Sequence, residues 1–297
     1  MTKNLLSPLL LSAALLLHTT LASQPSDGPR RAPLDALRSC VGKKTGAAFL
    51  DVHGAGAQRS DPKVGSPDHF TGGRGPQGDV VRIYNFARCV KRRPGAGATL
   101  PYAIPDTGQS KCYSSSGEAS CQKDPGQDGA YTTVPMSFRQ NDDGTITDLI
   151  TGLIWLKDFI KSDKTQADTL ASANRTGGFQ DWRVPTIKEL YSLIDFSGTT
   201  GRAPPEASRA PKDARPYLPS IFHFEYPRTN RYIDAQYISG TLARGRIMGG
   251  RMPAFYGVNF ADGRIKSYPV SPRNGEKYYL RLVRGNPEYG KNQFKVQ

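Results

Sequence analysis

The sequence predicts an α+β fold, because short hairpins and one well-defined short helix stand out in its C-terminal half. Turn signals at Asp143-Gly144 and Asp262-Gly263 are each flanked by residues typical of strands. A helix-capping sequence begins at Thr186. The 297-residue chain contains 31 Gly and 23 Pro, which indicates many turns and disfavours long helices. We therefore expect short strands in small sheets and two short helices.

The first predicted elements are a hairpin and a strand. Thr145, Ile146 and Thr147 alternate in polarity after the Asp143-Gly144 turn, and residues 153–156 form an apolar run. The alternating oxygen donors of residues 141–148 also resemble half of a calcium loop, but no bidentate glutamate follows them. A hairpin without a metal is the preferred interpretation.

Two helices are predicted next. The first covers residues 165–174 and is stopped by Gly177-Gly178. The second runs from 187 to about 195, where Thr186 and Glu189 form a capping box. Its apolar residues recur at helical spacing and form one face: Ile187, Leu190, Tyr191 and Ile194.

The C-terminal part of the chain is predicted to form a long loop followed by strands of a sheet. Residues 197–235 are Pro-rich and loop-like, which is the usual place for a binding surface. Strands are expected at 255–260 and 264–268, with a terminal strand over 277–283. Trp155 and Trp182 lie beside apolar residues, so we predict that both belong to the core.

The N-terminal part carries an export signal and little regular structure. An apolar run from Leu5 to Leu17 follows Lys3 and precedes Ala22, which predicts a signal peptide over residues 1–22. The run is too short to span a membrane, so no transmembrane segment is expected after cleavage. Residues 23–95 form a loop-rich basic segment, residues 96–130 a linker with a local disulfide, residues 131–290 the compact domain and residues 291–297 a tail. The protein is expected to be exported to the periplasm, the cell surface or the medium.

Four cysteines allow three disulfide pairings in an oxidising compartment. We favour Cys112 with Cys121, which closes a small loop, and Cys40 with Cys89. Each bridge would contribute roughly 2.5 to 4 kcal/mol by restricting the unfolded chain. The compact domain contains no cysteine, so it must be held by packing.

Charge is concentrated at the two ends of the chain. The net charge is +14, and residues 226–297 alone carry +9, whereas residues 94–225 carry −3. A basic surface of this kind favours polyanionic partners. Forked guanidinium donors suit sulfate and carboxylate groups, and tyrosines can stack on sugar rings. The candidate ligand-binding residues are Arg244, Arg246, Arg251, Tyr256, Arg264, Lys266, Tyr268 and Arg281.

No catalytic or metal-binding motif is evident. The histidines that follow the signal peptide have no partner at metal-ligand spacing, so we expect no metal and no cofactor. Neither a nucleophile elbow nor an intact nucleotide-binding loop is present. A secreted hydrolase could only use a carboxylate pair assembled by the fold, drawn from Asp181, Glu189, Asp195 and Asp234.

Several stretches in a fixed order resemble the Lcl C-terminal domain family, which is named after a collagen-like bacterial adhesin. They are residues 141–148 with 151–155, residues 181–190, residues 233–239, residues 257–265 and residues 279–285. The resemblance covers about residues 131–290 and implies a C-type-lectin-like fold. For the adhesin it implies binding of sulfated polysaccharides at the cell surface.

The sequence also departs from related patterns. Family members often have a cysteine where this chain has Leu282, and a second one in the first helix region. The motifs of calcium-dependent lectins and the cysteines of formylglycine-generating enzymes are absent. The resemblance therefore favours neither calcium-mediated sugar binding nor that enzyme chemistry.

Three functions are compatible with these observations. The preferred one is an exported bacterial, non-enzymatic module that binds anionic polysaccharide in adhesion, with no specific nucleic acid partner. The alternative is an envelope protein that binds another protein or has a structural role, in which the positive charge only aids solubility. A secreted hydrolase is the least favoured.

Overall fold

A computed structural model describes residues 104–114, 117–122, 127–201, 207–228, 231–247, 252–272, 275 and 277–286, excepting the side chains of 244–247. The predicted signal peptide, the basic segment 23–95, the Cys40–Cys89 pair, Arg251 and the tail 291–297 lie outside these residues. Within the described ranges, no helix is long and apolar enough to cross a membrane.

The described chain alternates short strands with two short α-helices. The helices are α1 (Ala167–Ala173) and α2 (Ile187–Tyr191). The strands that precede α1 are β1 (Cys112–Ser114), β2 (Gly117–Ala119), β3 (Phe138–Gln140), β4 (Thr145–Asp148), β5 (Ile154–Leu156) and β6 (Ile160–Ser162). Those that follow α2 are β7 (Gln236–Ile247), β8 (Met252–Asn259), β9 (Arg264–Pro269), β10 (Tyr278–Leu280) and β11 (Val283–Arg284).

Three sheets are formed. Strands β1 and β2 form a separate hairpin, strands β11-β5-β4-β3 form a four-stranded sheet, and strands β6-β10-β7-β8-β9 form a five-stranded sheet. All pairs are antiparallel except β10 with β7. The α+β class predicted from the sequence is therefore confirmed.

The structure contains the turn and the capped helix that neighbouring residues predict. The Asp143-Gly144 turn joins β3 to β4, and Gly144 has the positive φ of 82° that such turns favour. Thr186 accepts from the Glu189 amide and Glu189 reaches back to the Thr186 amide, which is the predicted capping box. Helix α2 ends at Tyr191, four residues earlier than expected, and the chain continues as turns.

The predicted terminal strand is divided between two sheets. Strand β10 pairs with β6 and β7, whereas β11 pairs with β5. Arg281 and Leu282 form the crossing between them, and both are fully buried. A single strand over 277–283 was the expectation, and it is wrong because the chain changes sheets at this point.

The core consists of two apolar clusters on either side of this crossing. Trp155, Tyr237 and Phe260 belong to the larger cluster, which is covered by α2. Trp182 and Leu282 belong to the smaller cluster, which is covered by α1. Both tryptophans are at least 96% buried, at 0% and 4% exposure, as predicted. Leu282 is fully buried in this smaller cluster.

The Cys112–Cys121 disulfide is present and ties β1 to the turn after β2. The residues around it are docked on the domain, where the sequence predicts a linker. The Phe196 amide donates to the Thr107 carbonyl at 2.7 Å, and the Asp106 amide donates to the Val134 carbonyl at 2.7 Å. The described residues of this stretch, 104–114, 117–122 and 127–134, therefore pack as part of the fold.

Candidate functional site

Two of the predicted ligand-binding cations meet at one buried carboxylate. Asp262 lies in the β8–β9 turn with its side chain 3% exposed. Its Oδ2 accepts from Lys266 Nζ at 2.9 Å and lies 3.6 Å from Arg264 Nη1. Asp262 Oδ1 is buried without a hydrogen-bond partner among the described residues. The turn thus combines two basic side chains with one buried carboxylate.

The two predicted stacking tyrosines differ in position. Tyr256 on β8 is partly exposed, opposite Ser267 of β9. Tyr268 is buried, and its ring packs against Phe255 and Tyr278 at centroid distances of 5.9 and 6.0 Å. Burial raises the pKa of Tyr268 well above 10, with a smaller contribution from Asp262. Tyr268 therefore contributes to the core and offers no exposed stacking face.

Arg281 is removed from the set of ligand-binding candidates by its burial. Its side chain is 0% exposed, and its guanidinium donates to backbone carbonyl oxygens of Leu156 at 2.7 Å, Asp158 at 3.1 Å and His223 at 2.6 Å, and also to that of Lys157. The ring of Phe222 lies 5.0 Å from the guanidinium carbon. This cation holds the loop after β5 against the loop that contains His223.

The remaining ligand-binding candidates are Arg244, Arg246 and Arg251. Arg244 and Arg246 lie on β7, where the structure describes the backbone alone, and Arg251 lies outside the described residues. Arg246 is opposite Pro253 in the β7–β8 register. Their part in binding stays a prediction.

An open cleft of about 1010 Å³ lies beside the β8–β9 turn. One side is formed by the segment before the compact domain, through residues 109–111 and Tyr113. Another side is formed by the loop 196–201, and a third by residues 212–217, with Asp262 and Gly263 between them. Its charged lining residues are three cations and two carboxylates: Lys111, Lys212, Arg215, Asp213 and Asp262.

Tyr217 is fixed in the cleft by backbone contacts. Its amide donates to the Phe260 carbonyl at 2.7 Å, and its ring lies edge-on to Phe196 at 6.1 Å. Gly263 has a φ of 68°, and a Cβ at this position would lie 2.7 Å from the Tyr217 ring. Burial raises the pKa of Tyr217, Asp262 raises it further and Arg264 opposes the rise. The tyrosine is therefore neutral and close to the Asp262 cluster.

The cleft was missed by sequence reasoning, although one signal pointed near it. The Pro-rich loop 197–235 was predicted to hold a binding surface, and Lys212, Arg215 and Tyr217 belong to it. Nothing in the local sequence indicates that Lys111 and Tyr113 lie against this loop. The basic residues that were singled out, Arg264 and Lys266, lie at its border through Asp262.

The four carboxylates considered for a hydrolase are engaged in separate local interactions. Glu189 accepts from Arg183, and Asp234 accepts from Arg231. Asp181 accepts from Arg284 and Asp195 from the Ser197 amide. Among the described residues, no group of three or more His, Cys, Asp or Glu residues could hold a metal ion.

The fold and the cleft thus define an α+β domain of small sheets with a polar, partly basic cleft at one side. The family model described as Lcl C-terminal domain matches residues 144–284. Residues 144–284 therefore match the Lcl C-terminal domain family, as the motifs of the sequence predict. No curated protein and no solved structure matches the sequence.

Proposed function

We propose that this protein is an exported, non-enzymatic module that binds anionic polysaccharide through the cleft beside the β8–β9 turn. The observation that carries the proposal is the combination of exposed cations and tyrosines in one open groove. Lys212 and Arg215 are exposed in the groove, with Tyr113 and Tyr217 lining it. Cations recognise sulfate or carboxylate groups, and tyrosine rings present apolar faces to sugars.

The family supports the same interpretation. The Lcl C-terminal domain is named after an adhesin, and the resemblance implies a C-type-lectin-like fold with a surface role. The apolar run from Leu5 to Leu17 supports export. The disulfide between Cys112 and Cys121 suits an oxidising compartment such as the periplasm, the cell surface or the medium.

The decisive experiment is retention on an immobilised sulfated polysaccharide across a salt gradient, with neutral polysaccharide and DNA columns as controls. We expect retention on the sulfated column that weakens steeply with salt, because exposed ion pairs are screened within about 10 Å at 0.1 M salt. We expect no retention on the neutral column and earlier elution from DNA. Flow-through from the sulfated column at physiological salt would reject the proposal and favour a protein partner.

Alanine variants test which residues form the binding site. Lys212→Ala with Arg215→Ala should reduce affinity about tenfold, since each exposed ion pair contributes up to ~1 kcal/mol. The matched control is Arg139→Ala, which removes an exposed cation from β3 and should leave retention unchanged. Replacing Arg244, Arg246 and Arg251 by Ala tests the surface predicted from the sequence. A loss in this triple variant with none in the cleft variant would place binding on β7.

A further inference from the structure

The cleft is assembled from two parts of the chain that are distant in sequence. The matched domain begins at residue 144, whereas Gln109, Ser110, Lys111 and Tyr113 precede it. These residues form the side of the cleft that faces the loop 212–217. The family domain by itself therefore lacks one side of this groove.

The preceding segment is internally fixed around Tyr113. The Gln127 side chain donates to the Tyr113 carbonyl at 2.8 Å and accepts from its amide at 2.9 Å. Cys112 is fully buried and bonded to Cys121. A Cβ at Gly129 would lie 2.2 Å from the Lys111 carbonyl oxygen, so the two backbones are in direct contact. This packing holds Lys111 and Tyr113 in one position.

The segment is also fixed against the domain. The Phe196 amide donates to the Thr107 carbonyl at 2.7 Å. Gly108 has a φ of 72°, and a Cβ there would lie 2.5 Å from Asp195 Oδ1. Since Phe196 and its successors line the cleft, this contact sets the distance between the two sides.

The two sides of the cleft carry cationic side chains that suit one anionic ligand. Lys111 lines one side of the cleft, with its Nζ 2.7 Å from Glu118 Oε2, and Arg215 lines another side. An anionic group placed between them relieves their repulsion. Asp262 also borders the cleft, and its carboxylate is paired with Lys266 at 2.9 Å and lies 3.6 Å from Arg264. An acidic sugar chain supplies such an anionic group.

We infer that the disulfide-tied segment formed by residues 104–114, 117–122 and 127–130 is an integral side of the binding cleft. The complete site for an acidic oligosaccharide then exists only when this segment is docked on the Lcl C-terminal domain. The inference rests on the proposed function. It assigns a binding role to Lys111 and Tyr113, which lie outside the family domain.

The test uses the full chain and immobilised heparin as the probe. The variants are Tyr113→Ala and the pair Cys112→Ala with Cys121→Ala. We expect each to weaken binding at least fivefold, while thermal unfolding of the domain continues to be cooperative. The matched control is Tyr131→Ala, which removes an exposed tyrosine of the same region that does not line the cleft and should bind as the wild type does.

The outcomes separate the two proposals. Absence of heparin retention by the wild-type chain overturns both. Retention that is lost in Lys212→Ala with Arg215→Ala, yet unchanged in Tyr113→Ala and in the cysteine variant, overturns this inference and leaves the proposed function standing. If the cysteine variant fails to fold, Tyr113→Ala alone decides.

Discussion

The guanidinium of Arg183 donates two hydrogen bonds to the buried carboxylate of Glu189, at 2.8 and 2.6 Å. The same carboxylate accepts from the Thr186 amide at 2.8 Å and so completes the cap of α2. The Arg183 amide and carbonyl meanwhile exchange hydrogen bonds with Val283 next to the sheet crossing. The Arg183–Glu189 ion pair thus joins the start of α2 to the residue that pairs with strand β11.

Replacing Glu189 by Gln should lower the free energy of unfolding by about 2 to 3 kcal/mol, because it removes one partner of a buried ion pair and weakens the cap. The value is below that for a fully buried pair because the Arg183 side chain is 36% exposed. Urea unfolding measures it. A double-mutant cycle with Arg183→Met should give a coupling energy above ~1 kcal/mol, and a value near zero would show that the capping interaction alone matters.

Replacing Arg281 by Met should lower the free energy of unfolding by at least about 3 kcal/mol, because four backbone carbonyls lose a hydrogen bond inside the fold. Of these, the Lys157 carbonyl keeps the His223 amide as a donor. Thermal and urea unfolding report the loss. Arg139→Met is the matched control on an exposed strand position, with an expected change within about 0.5 kcal/mol. A loss below ~1 kcal/mol for Arg281→Met would mean that the carbonyls find other donors.

Lys161 should react unusually early with amine-directed reagents as pH rises. Burial lowers its pKa to about 8, and the charge of Glu225 opposes this only partly. Its Nζ lies 3.0 Å from the centre of the Tyr279 ring. Because the pKa is lower in the folded state than the ordinary 10.5, the charged lysine destabilises the fold below pH 8, and the penalty disappears as pH rises from about 8 to 10.5. The penalty is small, because Lys161 is exposed and solvent screens its charge.

The measurement is the acylation rate of Lys161 against pH by mass spectrometry. We expect the rate to level off just above pH 8 in the folded protein and only above pH 10 in denaturant. Glu225→Gln should shift the folded profile to lower pH, because it removes the stabilising charge. A folded-state rate that still rises tenfold per pH unit between 9 and 10 would contradict the assignment.

The elements that the sequence predicts well are those determined by neighbouring residues. Thr186 and Glu189 lie three positions apart, and the hairpin turns are set by Gly144 and Gly263, so short-range chemistry suffices. The preferred Cys112–Cys121 pair is likewise local.

The features that escaped prediction depend on distant contacts. Arg281 looks like any other basic residue of the C-terminal third until the sheet crossing encloses it among carbonyls from two loops. The cleft requires residues 109–113 to meet residues 212–217, and no periodicity or motif in either stretch specifies the other. The basic region is therefore visible in the sequence, whereas the accessibility of each of its residues depends on the fold.

The two hydrogen bonds between the Gln127 side chain and the Tyr113 backbone also affect self-association. The amide and carbonyl of Tyr113 face away from β2, so they are the groups that an incoming strand from a second molecule would use. Because both are already bonded to the Gln127 amide side chain, another chain must break two hydrogen bonds before it can extend this hairpin. A single glutamine thus protects an exposed two-stranded ribbon from edge-to-edge aggregation.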